Sequence, residues 1–344
     1  MKPASHPTIP PQKEGVLIVN LGTPDDTSWL SVRRYLKEFL SDRRVIELHP
    51  LLWQPILNLI ILTLRPHKSA HAYRSIWRED TNESPLRYFT RAQGEGLAHA
   101  LPHMKVRWAM RYGNPSMASQ IEALVKEGCT HITLVPLYPQ YCAATTATVC
   151  DEAFRVLAKM RWQPSLRVIP PFHDHPGYIE ALAQSITAHA KTLDWHPQKV
   201  IASFHGMPAD SLTKGDPYSC MCAKTARLLQ DALELTPETF THTFQSRFGP
   251  KAWLTPYTQD TLEKLPAQGI TRVAMVSPGF VSDCLETLEE INIRYREAFL
   301  AAGGTHFAYV PCLNESQAFI GLLASLITGK TQAAPETKSQ ARAS

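Results

Sequence analysis

Two strand-and-loop signatures occur in the same order in each half of the chain, and this repeat limits the fold more than any other feature. "VLIVNLGTP" begins at Val16 and "VIASFHGMP" at Val200; each is a short apolar run ending in x-Gly-x-Pro, the pattern of a strand that enters a sharp loop. "EGCTHITLVPLYP" from Glu127 and "QGITRVAMVSPGF" from Gln268 form the second pair, each a Gly, a short spacer, an apolar run and a Pro-containing loop. Amphipathic helical stretches such as "SMASQIEALVKEG" and "YIEALAQSITAHAKTL" lie between the strands. Strands that alternate with helices imply βαβ units and a parallel sheet. The fold class expected is therefore α/β, with two similar domains in tandem. Their expected extents are 15–172 and 173–328, flanked by disordered polar ends at 1–14 and 329–344.

The repeat also locates an insertion. Gly22 and Gly128 lie 106 positions apart, whereas Gly206 and Gly269 lie 63 apart, so the first half carries roughly 43 extra residues. They are expected at about 43–90. The apolar stretch "LLWQPILNLIILTL", Leu51 to Leu64, falls there. It is shorter than the roughly 20 residues a membrane-spanning helix needs, and Gln54, Pro55 and Asn58 interrupt it. A buried core helix is one reading. The other is an apolar lip that touches a membrane surface or a greasy ligand. Insertions in open α/β sheets decorate the ligand-binding edge, which favours the lip.

The 344 residues suffice for two cores, and 44% apolar with 19% charged residues describes a globular chain. The net charge of +4 is mild and no basic run is interleaved with aromatics, which argues against nucleic acid as a partner. Seven irregularly spaced cysteines and no apolar leader suggest a reducing cytoplasm rather than a disulfide framework. No G-x-G-x-x-G, P-loop or G-x-S-x-G signature occurs, so a nucleotide cofactor or a serine nucleophile has no motif support.

Two places concentrate chemistry. His205 follows the strand "KVIAS", at the edge where parallel sheets bind ligands. The repeat sets it opposite Leu21, so the backbone does not demand a histidine there. The second place is "SPGFVSDCLETLEEINIRY", Ser277 to Tyr295, read as a strand end, a loop and a helix starting near Asp283. There Asp283-x-x-Glu286 has the form of a capping box, and Glu290 with Arg294 that of an i,i+4 pair. Yet Glu286 and Glu290 share one helix face as like charges, and carboxylates lined up from a sheet edge suit proton or metal transfer. Both interpretations stay open from spacing alone. His205 and Glu286 facing one another across a cleft would bind a divalent metal or take protons near neutral pH. "GDPY", Gly215 to Tyr218, reads as a turn before a helix beginning near Cys220. Cys220 and Cys222 lack the C-x-x-C pairs of a zinc ribbon.

Taken together, "SFHGMP…KGDPYSCMCAKTARLL", "TFQSRFGPKAWLTPYT" and "SPGFVSDCLETLEEI", with "VNLGTPDD" and "LYPQY" in the first half, resemble the ferrochelatases over roughly residues 15 to 325. The resemblance implies two Rossmann-like domains with the active cleft between them. It implies a lyase that inserts Fe2+ into a porphyrin in the last step of haem synthesis. "QSRFGPKAWLTPYT" is similar to the protoporphyrin-using enzymes rather than the coproporphyrin-using ones. The family's metal-contacting histidine and glutamate fall on His205 and Glu286, and further acidic helix positions on Glu290 and Asp283. Arg111 and Tyr112 match a polar wall of the cleft, and Tyr73 and Ser84 the region near the porphyrin propionates or the metal. Trp53, within the lip, and Leu21 complete the expected ring contacts. A coproporphyrin-using enzyme and a non-catalytic porphyrin or haem carrier are the alternatives.

Two departures from the family pattern stand out. Many relatives read Ser-Asp-His-x-Glu-Thr where this chain has Cys284, which puts a proton relay through that position in doubt. No cysteine follows Cys312, so the carboxyl-terminal 2Fe–2S cluster of some ferrochelatases has no ligands here; a different set involving Cys220 and Cys222 stays open. Porphyrin and Fe2+ are the partners expected. Transient peripheral contact with the inner membrane surface through the lip is expected too, and the chain as a monomer or homodimer.

Overall fold

The structure, a computed structural model, describes residues 12–249 and 251–329. The first half forms a parallel sheet from β1 (Lys13–Gly22), β2 (Lys105–Tyr112), β3 (Cys129–Pro136) and β4 (Ser165–Val168), in the order β2-β1-β3-β4. The second half repeats it with β5 (Lys199–His205), β6 (Phe240–Gln245), β7 (Arg272–Val276) and β8 (His306–Tyr309), in the order β6-β5-β7-β8. All pairings are parallel. Val16, Leu17, Ile18 and Val19 are fully buried, because a central parallel strand is covered on both faces and so reads as a continuous apolar run. Lys13 and Glu14 already belong to β1, which corrects the expectation of disorder up to residue 14. The other end assigned to disorder begins with Gly329, the left-handed cap of the last helix; 330–344 and 1–11 lie outside the described residues.

The helices of the first half are α1 (Trp29–Ser41), α2 (Pro50–Ile56), α3 (Leu62–Arg74), α4 (Pro85–Ala100), α5 (Met117–Lys126) and α6 (Thr148–Leu157). After α7 (Pro176–Ala190), the second half carries α8 (Asp210–Thr213), α9 (Tyr218–Ala232), α10 (Thr258–Lys264), α11 (Arg296–Ala301) and α12 (Gln317–Thr328). Between β1 and β2 the surplus over the second half is built mainly of α1 to α3. α4, which precedes β2 as α9 precedes β6, starts at Pro85, so the inserted segment ends earlier than residue 90.

The two sheets share one interior. A single apolar cluster runs from Val16, Ile18, Leu97 and Val135 in the first half to Ala202, Phe204, Val276 and Leu323 in the second. α12 is apolar nearly all round, as a helix must be when it is covered on several sides. It packs on α4 of the first half and on α7, and its last turn is capped from β4, where Arg167 Nη1 donates to the Ile327 carbonyl at 2.8 Å. Polar groups also cross the seam, among them Gln93 on α4, which is fully buried. Its amide donates to Ser282 Oγ at 2.9 Å and to the Asn314 carbonyl at 2.8 Å.

The repeat extends to unusual detail. In each half a π-helical segment follows the loop after the third strand: Ala143–Ala147 in the first and Leu285–Tyr295 in the second. Each is preceded by an extended cysteine, Cys142 or Cys284. Three residues on, Thr145 Oγ1 donates to the Cys142 carbonyl and Thr287 Oγ1 to that of Cys284. The second segment starts at Leu285, two residues past Asp283, and the capping pair is Cys284 with Thr287 rather than Asp283 with Glu286. α9 likewise starts at Tyr218, two residues before Cys220.

Candidate active site

The carboxyl ends of β1 and β5 bring different residues to equivalent places. His205 ends β5 and pairs in register with Gln245 of β6. Leu21 lies between the paired Asn20 and Gly22 of β1, so Arg111 of β2 is the counterpart of Gln245. His205 Nδ1 is 2.7 Å from the Gly206 carbonyl oxygen. A carbonyl only accepts, so Nδ1 is the donor in this contact, and Nε2 takes no part in it. Gly206 has no room for a side chain: an added Cβ would lie 2.4 Å from the Gln245 carbonyl oxygen and 3.2 Å from the Trp253 ring.

A narrow pocket opens where the second half's π-helical segment meets the first half. Leu21, Gly22 and Thr23 from the end of β1 line it, with Tyr35 of α1, Tyr73 of α3 and Ser84 before α4. Cys284, Leu285 and Glu286 close it from the other side. Four residues singled out from sequence, Leu21, Tyr73, Ser84 and Glu286, thus line one space. Tyr35 and Tyr73 meet edge to face with ring centroids 6.4 Å apart. Burial raises the pKa of both phenols, and the Glu286 carboxylate adds to this. Both stay protonated and can donate to a neighbouring anion. Burial, then Glu286, also pushes the Cys284 thiol well above the ordinary thiol range. Ser84 Oγ caps α4 by accepting from Arg87 N at 3.2 Å.

The other acidic residues of the segment are enclosed by donors. Glu290 is 6% exposed. It accepts from Ser246 Oγ at 2.5 Å, Ser246 N at 3.0 Å, Tyr295 Oη at 2.7 Å and Gln245 Nε2 at 3.2 Å. Arg294 makes the expected i,i+4 ion pair with it, at 3.9 Å, and hydrogen-bonds Glu289. Asp283 is buried and accepts from Tyr309 Oη, from Asn314 Nδ2 at 2.8 Å and from Thr287 Oγ1 at 3.1 Å. Neither carboxylate lines the pocket.

Arg111, Tyr112 and Trp53 do not line this pocket. Arg111 Nη2 bonds Asp42 at 2.5 Å and Tyr112 Oη bonds the same carboxylate at 2.9 Å, which occupies that wall with a partly buried ion pair. Trp53 is 9% exposed, with its indole N–H donating to the Leu40 carbonyl at 2.6 Å. It therefore roots the lip in the core and is not displayed. The displayed surface is Leu51, Leu52, Leu59, Ile60 and Leu64, each more than half exposed. From the same lip, Arg65 lies over the ring of Phe248, 5.2 Å from its centroid. That contact reaches the loop after β6 and bridges the two halves.

Sequence reasoning passed over Tyr35, Thr23, Gln245, Ser246 and Tyr295. Gln245 had a signal, since the repeat sets it beside His205 as it sets Arg111 beside Leu21. Cys220 is exposed, Cys150 is half-buried, and Cys129, Cys142, Cys222, Cys284 and Cys312 are buried. All seven are among the described residues, and no group of three or more His, Cys, Asp or Glu side chains there is placed to hold a metal.

A family model described as Ferrochelatase matches residues 13–331. A ferrochelatase of Agrobacterium fabrum is 56% identical over 333 residues, covering 96% of this chain and 97% of that one. A ferrochelatase of Rhizobium meliloti is 58% identical over 314 residues, covering 90% and 93%. Among solved structures, SirB from Bacillus subtilis with Fe3+ superimposes with a TM-score of 0.53 at 16% identity, over 93% of this chain and 98% of that one. That likeness concerns the fold alone.

Proposed function

The chain belongs to the ferrochelatase family, and from that premise we propose that it inserts Fe2+ into protoporphyrin IX with release of two protons, the last step of haem synthesis. The family membership makes it a lyase of haem biosynthesis with a porphyrin and Fe2+ as substrates. The observation that supports His205 and Glu286 as its working pair is their placement. Glu286 enters a pocket walled by the first half, and His205 ends the strand beside Gln245, whose amide reaches the Glu286 main chain at 2.8 Å.

Metallation asks three things of a protein. A large flat ring must be held in an apolar cleft. It must be bent so that pyrrole lone pairs leave the plane, with strain drawn from binding elsewhere on the ring. Two pyrrole protons must depart as the metal enters. His205 Nε2, free because Nδ1 is tied to Gly206, takes a pyrrole proton or a metal bond. The Glu286 carboxylate serves the opposite side, and the two are borderline ligands suited to Fe2+. Glu290 and Asp283 act behind them, where their donor-filled surroundings hold the π-helical segment that carries Glu286. Tyr73, Ser84 and Leu21 form the wall against the ring. The exposed leucines of the lip give the insoluble product a surface that touches a membrane; among the described residues no helix is long and apolar enough to cross one.

The deciding experiment is anaerobic loss of protoporphyrin IX fluorescence on adding Fe2+ with protein at catalytic ratios. Multiple turnovers are expected, faster than with coproporphyrin III. A change that stops at one porphyrin per chain would mark a carrier, and faster turnover of coproporphyrin would overturn the substrate assignment.

A further inference from the structure

The side chain of Gln245 joins the two elements that carry the proposed working pair. Gln245 ends β6, is 2% exposed, and is the register partner of His205. Its Nε2 donates to the Glu286 main-chain carbonyl at 2.8 Å and to Glu290 Oε2 at 3.2 Å. Its Oε1 accepts from Ser203 Oγ at 2.8 Å, and Ser203 lies two residues before His205 on β5. The Ser203 hydroxyl is fixed in turn by Thr258 Oγ1 at 3.0 Å. One amide therefore holds the histidine strand with its oxygen and the glutamate turn with its nitrogen.

We propose that Gln245 is a positioning residue for metal insertion, setting the separation and angle between His205 and Glu286. The inference rests on the assignment of those two residues above. Three features carry it. The amide is buried with both ends used, so its orientation is fixed and an amide flip would set two acceptors, or two donors, against each other. Its target is the main chain of Glu286, the point about which that side chain swings, so any shift of the tether moves the carboxylate. The first half supplies a comparison. At the counterpart position Arg111 Nε donates to the Thr148 carbonyl at 2.8 Å, just past the first π-helical segment. The tether thus recurs, but as a cation where the neighbouring strand ends in Leu21 rather than in a histidine. Beside His205 and Glu286 it is neutral. A guanidinium there would repel the entering Fe2+ across a partly desolvated gap, whereas an amide makes the same bond without charge.

Gln245→Met keeps the shape and removes both hydrogen bonds. Displacements of about 1 Å in such constellations cost on the order of 100-fold in rate. The expected result is a fall in kcat of at least about tenfold, with KM for protoporphyrin IX and for Fe2+ within about threefold of the unaltered protein. Thr225→Val, which removes a buried hydroxyl on α9 bonded to the His173 carbonyl, is the control for lost stability; its kcat should stay within about twofold. Ser203→Ala removes only the strand-side hold and should lower kcat by less than Gln245→Met. In the double variant the two losses should fail to add, as for members of one network. If Gln245→Met does not fold, Ser203→Ala carries the test by the same split between kcat and KM. A kcat for Gln245→Met, or failing that Ser203→Ala, within twofold of the unaltered protein overturns the proposal. So does an equal loss in Thr225→Val, or a change confined to KM. Full turnover in His205→Ala or Glu286→Gln is a different pattern; it would overturn the site assignment itself and this inference with it.

Discussion

Tyr295 Oη donates to Glu290 Oε1 at 2.7 Å across five residues of one helical segment. In an α-helix, positions five apart point well away from each other. The wider π-helical turn brings them to one side. The Glu290 carboxylate thus closes the π-helical segment upon itself and binds Ser246 at the start of the next loop. Tyr295→Phe removes one hydrogen bond from a buried carboxylate and should lower the unfolding free energy by about 2 kcal/mol. Glu290→Gln turns an amide toward donors that expect a carboxylate and should cost more than Tyr295→Phe. Urea unfolding followed by circular dichroism measures both, and no loss in either would contradict the role given to this pair.

For His205 the expected effect falls on rate rather than folding. His205→Ala should lower kcat by on the order of 100-fold or more, the scale of a lost general base. Protoporphyrin affinity, from absorbance titration, should move by only a few-fold, because apolar contact with the ring supplies the binding. Activity near that of the unaltered protein would remove His205 from the site.

The two parallel sheets were legible because apolar runs recur in the same order in both halves, and continuous apolar strands mean burial on both faces. The place of His205 at a strand end and of Glu286 on the segment after the next-but-one strand was legible from the repeat, and Leu21 showed that no backbone need is met by the histidine. The π-helical form of Leu285–Tyr295 was hidden, since apolar spacing over so few turns does not separate 4.4 from 3.6 residues per turn. Asp283 and Glu290 looked like a surface line of carboxylates. Their partners Tyr309, Asn314 and Ser246 come from other loops and only folding reveals them. The burial of Trp53 was hidden for a similar reason. An aromatic in an apolar run gives no sign of which face meets the core, and here the Leu40 carbonyl takes its indole N–H.

The cysteines should differ sharply in reactivity. Burial pushes the thiols of Cys222, Cys284 and Cys312 well above their ordinary range and that of Cys142 to about 12. At pH 8 their thiolate fraction is negligible, and the thiolate is the nucleophile. Cys220 is exposed on α9. Iodoacetamide at pH 8 should therefore label Cys220 first and leave those four thiols unmodified until the protein is unfolded. Peptide mass spectrometry would show this, and early labelling of Cys284 would contradict the closed pocket around Glu286.

The lip makes the last prediction. Leu51, Leu52, Leu59 and Leu64 are 79%, 67%, 75% and 70% exposed, while Trp53, Leu57 and Leu62 between them are buried. The segment therefore has an inner face that anchors it and an outer face with nothing to pack on. Burying a leucine side chain is worth roughly 1.5–3 kcal/mol, so partial insertion of several into a bilayer interface gives reversible association. Replacing Leu52, Leu59 and Leu64 together by serine should leave the fold intact, because none of the three supports the core. Cosedimentation with phosphatidylglycerol-containing vesicles should fall at least about tenfold, since the loss of even half of one leucine's burial at each position exceeds 1.4 kcal/mol in sum. Turnover of detergent-dispersed protoporphyrin should stay within about twofold. Unchanged vesicle binding would show that the lip does not meet the membrane. Lost turnover in detergent would show instead that these leucines hold the porphyrin itself.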